Sequence, residues 1–386
     1  MTAEPEPEDL YATELVVDLD ALRDNLRAIR ARVGDERQVL LAVKADGYGH
    51  GAVPIARAAA GAGLVDWFGV ATVPEALELR AAGIELPILK LSSARPGAEL
   101  DAAVGAGIAL TVTSVAGARA LQESAARLGT RAVAHLKVDT GMRRIGVAPD
   151  QAAALALVLE RECPDVDLQG LFTHLPVADT AAEDVFTRDQ LARFAAVVDD
   201  VQAAIGRRIE LVHAANSGGV LAHEQSWFDL VRPGIMVYGY YPDPSTPRTV
   251  PLRPLITWRS RLTQVKPVRA GESVGYGRTW VAPRDTVVGT VPVGYADGYN
   301  RLLSNRGRVL VGGRSCPVVG RVCMDQTMVD LGPDGPDAVG DEVVLIGRQG
   351  GEEISTDELA ELLGTITYEI TCRIDRRVPR VYLGGP

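Results

Sequence analysis

The stretch VLLAVKADGYGHG, Val39 to Gly51, opens with four aliphatic residues and a fifth at Val43, then stops on a lysine. An unbroken apolar run of this length reads as a strand buried on both faces, as in a parallel sheet covered by helices. Lys44 follows at once, and a Gly/Asp/Tyr turn comes behind it. Lysine is scarce in this chain. Lys44, Lys90, Lys137 and Lys266 are the only lysines among 40 basic residues. Arginine does not give up its proton in a protein, whereas a desolvated lysine can, and lysine can also form a Schiff base.

Working outward, similar runs recur to about residue 240: WFGVAT, PILKL, ALTVT, AVAHLKVD, DLQGLFTHL, ELVHAANS and LVRPGIMVYG. Between them lie stretches such as VPEALELRAAG and SVAGARALQESAARLG, with apolar residues at helical spacing and glycine at the end. Eight strands with helix-length connections match the size of a (β/α)8, TIM-like barrel of about 250 residues. A doubly wound open sheet is the alternative. The Pro-rich YYPDPSTPRTVPLRP then reads as a linker. Beyond it, strand-like segments with glycine turns predict a mostly β C-terminal domain. One helix opens at Ser355, with Glu358 three residues on as a capping box. The expected division is an N-terminal tail at 1–12, a barrel at 13–245 and a β domain at 246–386.

Composition narrows the classes. Net charge is -10 and the pI about 5.2, which argues against a nucleic-acid partner. Cys163, Cys316, Cys323 and Cys372 form no CxxC pair and read as reduced thiols, and no HExxH is present, so no metal is expected. The acidic, Pro-rich start is unlike a signal peptide. No apolar run approaches the ~18 residues needed to cross a bilayer. The expectation is a cytoplasmic protein with no membrane partner.

Active sites of such barrels lie at the C-terminal ends of the strands. Those ends carry Lys44, Lys137 with Asp139, His174, Asn216 with Ser217, and Arg232. Singly, each has a plain reading: a snorkelling lysine, a satisfied rim histidine, an ordinary Arg-Pro-Gly turn. On one rim they form a polar constellation over an apolar barrel. ANSGG and RPGI follow the last two strands, where this fold commonly binds phosphate, and Gly218, Gly219 and Gly234 let backbone N–H groups approach an anion. Phosphate there and a lysine on the first barrel strand suggest pyridoxal phosphate.

Taken together, AVKADGYGHG, KVDTGMRRIG, THL, ANSGG, RPGIMVYG, VGYGRTW, PVGYADGYNR, GRVCMDQTMVD and TYEITCRI resemble bacterial alanine racemase, in order, from about residue 13 to 383. The resemblance implies a pyridoxal-phosphate enzyme that interconverts L- and D-alanine, supplies D-alanine for peptidoglycan, and pairs head to tail as a homodimer with shared sites. It implies Lys44 as the Schiff-base lysine and the base on one face. Tyr276, from the partner subunit, would be the base on the other. Two bases suit racemisation, because a single one returns the proton where it came from. Phenols and amines ordinarily titrate near ~10, so both need tuning downward to work at neutral pH. The family does this for the tyrosine with a hydrogen-bond chain, here Tyr276–His174–Arg232.

By the same resemblance Arg232 faces the pyridine nitrogen. Arg144 holds the phenolic oxygen near the substrate carboxylate, and Lys137 matches a lysine that is carbamylated in some members. Tyr48, Ser217, Gly234, Ile235 and Tyr368 match the phosphate set, with Asn216 beside them. Met324 and Tyr295, with Asp325 nearby, match substrate and entry residues from the partner. This sequence departs from the family at Arg143, where glycine is usual, at Pro176, and at Lys90 within a strand. A serine or broad-spectrum racemase, a non-catalytic pyridoxal-phosphate protein and a decarboxylase of related fold are the competing readings. The last needs only one proton delivered, and the non-catalytic class lacks the β domain.

Overall fold

A computed structural model of the chain describes residues 11–385, and these form two units, Asp20–Tyr48 with Ala52–Pro254, and the rest. Most of the expected N-terminal tail lies outside the described residues.

The first unit is built from parallel strands. β1 (Glu14–Asp18), the first strand in chain order, belongs to the other unit. The barrel strands are β2 (Gln38–Ala42), β3 (Trp67–Val70), β4 (Ile88–Lys90), β5 (Ala109–Val112), β6 (Ala132–Lys137), β7 (Val166–Phe172), β8 (Leu211–His213) and β9 (Leu230–Val231). They pair in the order β8-β7-β6-β5-β4-β3-β2-β9, so the first strand of the series lies beside the last. The seam between β8 and β9 is crossed by Asp229 N–H donating to Val212 O (3.0 Å) and Arg232 N–H to Ala215 O (2.9 Å). The sheet is a nearly closed barrel with helices between its strands. Its interior is filled, with Leu40, Trp67, Leu89, Ala109, Leu211 and Leu230 packed together. Every residue of β3, β4, β5, β8 and β9 is buried, which is why these runs carry no alternation.

The Pro-rich segment before residue 254 belongs to this unit and is pinned to it, which corrects the linker reading. Thr246 Oγ1 donates to Asp179 O (2.8 Å), Thr249 Oγ1 to Leu221 O (2.7 Å), and Asn25 Nδ2 to Arg253 O (2.8 Å).

The second unit is mostly β. Its larger sheet runs Arg314–Pro317, Arg308–Val311, Glu342–Gln349, Ile256–Arg261, β1, Arg380–Leu383. The expected division at 13 and 245 is therefore corrected. β1 pairs antiparallel with Ile256–Arg261 and parallel with Arg380–Leu383, and Tyr11 and Thr13 both donate to Pro292 O. A second sheet runs Gln264–Val268, Thr286–Val291, Thr327–Gly332. Val268, Val274, Val288 and Val319 pack around it. The Ser355 helix is capped on one side only. Ser355 Oγ accepts from Glu358 N–H (3.1 Å), but the Glu358 carboxylate turns to Arg308 at 2.7 and 2.8 Å. A second short helix, Thr367–Cys372, carries Tyr368.

Candidate active site

Lys44 stands at the end of β2, and the chain behind it turns left-handed for four residues. Ala45, Asp46, Gly47 and Tyr48 have φ of 54, 53, 60 and 54°. For residues with a Cβ this conformation costs about 1–2 kcal/mol each, so something must hold it. Gly47 N–H donates to Val43 O (2.8 Å), and Asp46 Oδ1 accepts from Ala52 N–H (2.9 Å). Glu75 reaches over from a neighbouring helix, Val73–Ala81, and its Oε1 accepts from Ala45 N–H at 2.8 Å. The other oxygen of Glu75 closes a full capping box with Thr72. Strain of this kind collects at functional sites.

Tyr48 ends the turn with its ring 4.8 Å from Tyr238. Its hydroxyl occupies the space a Cβ on Gly234 would need, at 2.5 Å. The other glycines are explained differently from the sequence reading. A Cβ on Gly218 would meet the backbone of Ala178 and Asp179, and one on Gly219 would meet Ser226 Oγ. Gly219 N–H is already taken by the Asn216 side chain (2.9 Å), which caps the helix Ser217–Ala222. Ser217 Oγ accepts from Gly234 N–H (3.0 Å) and Met236 N–H (3.4 Å), with the buried Ile235 between them on the same turn. These residues form one knot at the end of β8 and β9.

Arg232 is buried, and burial pushes its guanidinium down to about 9, so it stays charged at neutral pH. Its donors go to Thr173 O (2.8 Å), Ala214 O (2.9 Å) and His213 Nδ1 (2.8 Å). A guanidinium can only donate, so His213 Nδ1 accepts and its proton sits on Nε2. That nitrogen faces His135 Nδ1 at 2.9 Å. Both rings are neutral, since burial drives His135 down to about 3 and His213 well below its ordinary range. Phe172 stacks on His213 at 4.7 Å, and a Cβ on Gly170 would strike His135 at 2.3 Å. The sequence reading missed both histidines. The available signal was a polar ring inside an apolar strand, HLK in β6 and LVH in β8.

The expected link from His174 to Arg232 is not made among the described residues, where the arginine's recorded bonds go to Thr173, Ala214 and His213 instead. His174 still feels the site. Burial, then Arg232, Lys137, Arg144 and Lys44, hold its imidazole well below the ordinary range, so it is neutral. Its carbonyl accepts from Gln190 Nε2 (2.9 Å), which also donates to Thr140 Oγ1 (2.9 Å). Lys137 is buried, with its amine 4.4 Å from the Phe172 ring centroid. Burial first, then Arg232 and Arg144, lower its pKa to about 7 against the opposing pull of Asp139. Asp139 Oδ1 meanwhile accepts from Gly141 and Arg143 N–H, both at 3.0 Å, and so shapes the loop that bears Arg144. Lys90, unexplained in the sequence, closes the end of β4. Its amine donates to Ser93 O (2.7 Å), Ser92 Oγ (3.0 Å) and Ser92 O (3.2 Å).

Cations therefore dominate this rim, and a serine-anchored backbone turn lies at one end. The set fits a small ligand with a phosphate and further anionic oxygens. Among the described residues no cluster of metal-binding side chains exists.

Tyr276, Tyr295, Met324, Asp325 and Tyr368 lie in the β unit. Tyr276 tops a hairpin between Ser273–Val274 and Trp280–Val281, with left-handed glycines at 275 and 277, and is 73% exposed. Tyr295 and Met324 are exposed on adjacent loops and line one open groove with Tyr276. Asp325 is turned toward Arg377, its Oδ1 2.8 Å from NH2.

The chain matches the family model "Alanine racemase, N-terminal domain" over residues 17–242 and "Alanine racemase, C-terminal domain" over 255–382. It is 49% identical to an alanine racemase of Cutibacterium acnes, over 96% of this chain and 97% of that one. Among solved structures, an alanine racemase of Clostridium difficile superposes with a TM-score of 0.91 at 35% identity, covering 96% of each chain. One from Bartonella henselae, with covalently bound pyridoxal phosphate, superposes with a TM-score of 0.85 at 29% identity, over 96% of this chain and 99% of that one.

Proposed function

The chain belongs to the alanine racemase family, and from that premise we propose how its own residues interconvert L- and D-alanine. The observation that carries the reading is Lys44 at the end of β2, fixed by a left-handed turn beside the cationic rim. Pyridoxal phosphate, the family's cofactor, acidifies the Cα–H of the amino acid it holds. Lys44 Nζ would hold it and would take or return the Cα proton on one face. Tyr276 Oη would do the same on the other face. Ser217 and the Gly234–Met236 turn, with Tyr48, Ile235 and Tyr368, would hold the phosphate, and Asn216 would keep that turn in place. Arg232 would face the ring nitrogen, where a fixed cation disfavours its protonation and limits by-products such as transamination. Arg144 would hold the phenolic oxygen and lie near the substrate carboxylate.

Lys137 would act as a carbamate. An amine must be neutral to add to CO2, losing one proton as it does, and an amine near 7 meets that need at physiological pH. Its new negative charge would orient Arg144. Met324 N–H and Tyr295 would meet the substrate carboxylate and the approach to it. The β unit of a partner subunit would supply them together with Tyr276, in a head-to-tail homodimer. A phenol standing in open solvent on a hairpin is supported as a base only if another surface covers it. No helix among the described residues is long and apolar enough to cross a membrane.

The test is turnover of both alanine enantiomers against a panel that includes serine, in wild type and Lys44→Ala. Racemisation of alanine should dominate, and the variant should be inactive with its cofactor no longer covalently held. A Lys44→Ala protein that keeps a borohydride-reducible bond would overturn the assignment.

A further inference from the structure

Asp297 is completely buried in the β unit and joins three stretches of chain. Its Oδ1 shares the one Tyr11 hydroxyl proton with Pro292 O (3.0 Å to each) and accepts from Arg377 Nε (2.6 Å), and its Oδ2 accepts from Gly294 N–H (2.8 Å). Burial and the neighbouring carboxylate push the Tyr11 phenol up to about 12, so it remains a donor. Asp297 O accepts from Asp375 N–H (3.0 Å), and Asp375 Oδ1 accepts from Arg377 N–H (2.9 Å), which sets the arginine on its turn. The other arm of Arg377 reaches Asp325. One guanidinium thus ties the loop of Tyr295 to the loop of Met324.

Those loops lie backbone against backbone. Tyr295 N–H donates to Cys323 O and Ala296 N–H to Met324 O, both at 3.0 Å. A Cβ on Gly294 would fall 2.2 Å from Met324 O, so no side chain separates them. A shift of either loop is passed to the other without slack. The bridge also has set geometry, because the planar fork aims separate nitrogens at the two carboxylates, whereas an ammonium is a single point donor on a flexible stem.

We infer that Asp297 and Arg377, with Asp325 as their outer partner, are positioning residues that set where Tyr295 and Met324 meet the substrate. This rests on the proposed placing of those two residues at the substrate carboxylate. Asp325 is then no direct ligand of alanine, whose carboxylate it would repel. A carboxylate contact is made in ground state and transition state alike, so its loss raises KM and leaves kcat nearly unchanged.

The experiment compares holoenzymes carrying Arg377→Gln, Arg377→Lys and Asp325→Asn. Asp325 is exposed, so that variant is expected to fold even if an arginine variant does not. KM for both enantiomers should rise roughly tenfold in Arg377→Gln and Asp325→Asn, with kcat within about threefold, the split expected when a contact made alike in ground and transition state is weakened. Arg377→Lys should fall between. Hydrogen exchange at 294–299 and 321–326 should quicken in the same order, while β1 is unchanged. Unaltered KM and exchange in Asp325→Asn and in any arginine variant that folds would overturn the inference. So would activity that falls only with the folded fraction. Tyr295→Ala separates the two levels: a raised KM there with unaltered Arg377 and Asp325 variants sinks the positioning role alone. An unaltered KM in Tyr295→Ala sinks the placing of the loops, and this inference with it.

Discussion

At position 143 the backbone takes φ of 58°, a left-handed conformation where a glycine carries no penalty. Arg143 is exposed, and its N–H donates to Asp139 Oδ1 whatever its side chain. Arg143→Gly should therefore stabilise the protein, by about 0.5–1 kcal/mol once the looser unfolded chain is allowed for. A denaturant midpoint that falls instead would show that the arginine has a contact worth more than the strain. Lys137 gives a pH-dependent counterpart. Its amine titrates near 7 when folded and near ~10.4 when unfolded. Between those values the unfolded chain holds the extra proton, so stability climbs with pH; below 7 the folded state bears a buried cation in full. With CO2 excluded and the cofactor removed, Lys137→Met should gain on the order of 2 kcal/mol at pH 6.5 and little at pH 9.5. Equal gains at both pH values would mean that another group titrates. Lys44 and Lys137 were legible, being rare residues set at strand ends. The bonds of Lys90 were not, since its serine partners matter only once the chain bends back over the end of β4.

At the scale of elements, the left-handed turn after Lys44 depends on a helix that begins about thirty residues later. Glu75 closes its own capping box and also takes the N–H of Ala45 and Ala71. Glu75→Ala removes an acceptor for several strained or terminal N–H groups and should cost about 2 kcal/mol. Because the loss falls on the Lys44 turn, cofactor should dissociate more readily on dialysis than in a control such as Glu78→Ala, on the same helix. Equal retention in the two would detach Glu75 from the site. The T-x-x-E pattern at Thr72 was not singled out in the sequence, and the bond of its second carboxylate oxygen to the turn behind Lys44 is tertiary and leaves no local signal. The Ser355 box shows the reverse, a local pattern half-broken because Arg308 offers Glu358 a charged partner. The barrel strands were readable because burial on both faces leaves an unmistakable apolar run. β1 was not, since its sheet neighbours are more than two hundred residues away.

For the whole molecule, the division into units decides which residues must act together. Lys44 lies in the barrel unit and Tyr276 in the β unit, and the proposed dimer takes one from each chain. Lys44→Ala and Tyr276→Ala should then each be nearly inactive as homodimers. When the two are mixed and subunits exchange, one site of each hybrid collects both lesions. The other draws its lysine from the Tyr276→Ala chain and its tyrosine from the Lys44→Ala chain, and is intact. Random pairing makes about half the dimers hybrid with one good site each, so roughly a quarter of wild-type activity should return, as a two-fold shared site requires. If each site were built within one chain, no combination would be intact. Activity that stays at the level of the single variants, with exchange confirmed by mass-tagged subunits, would rule out the shared site. It would leave the hairpin of Tyr276 as a surface feature, with the second base to be sought among the barrel's own residues.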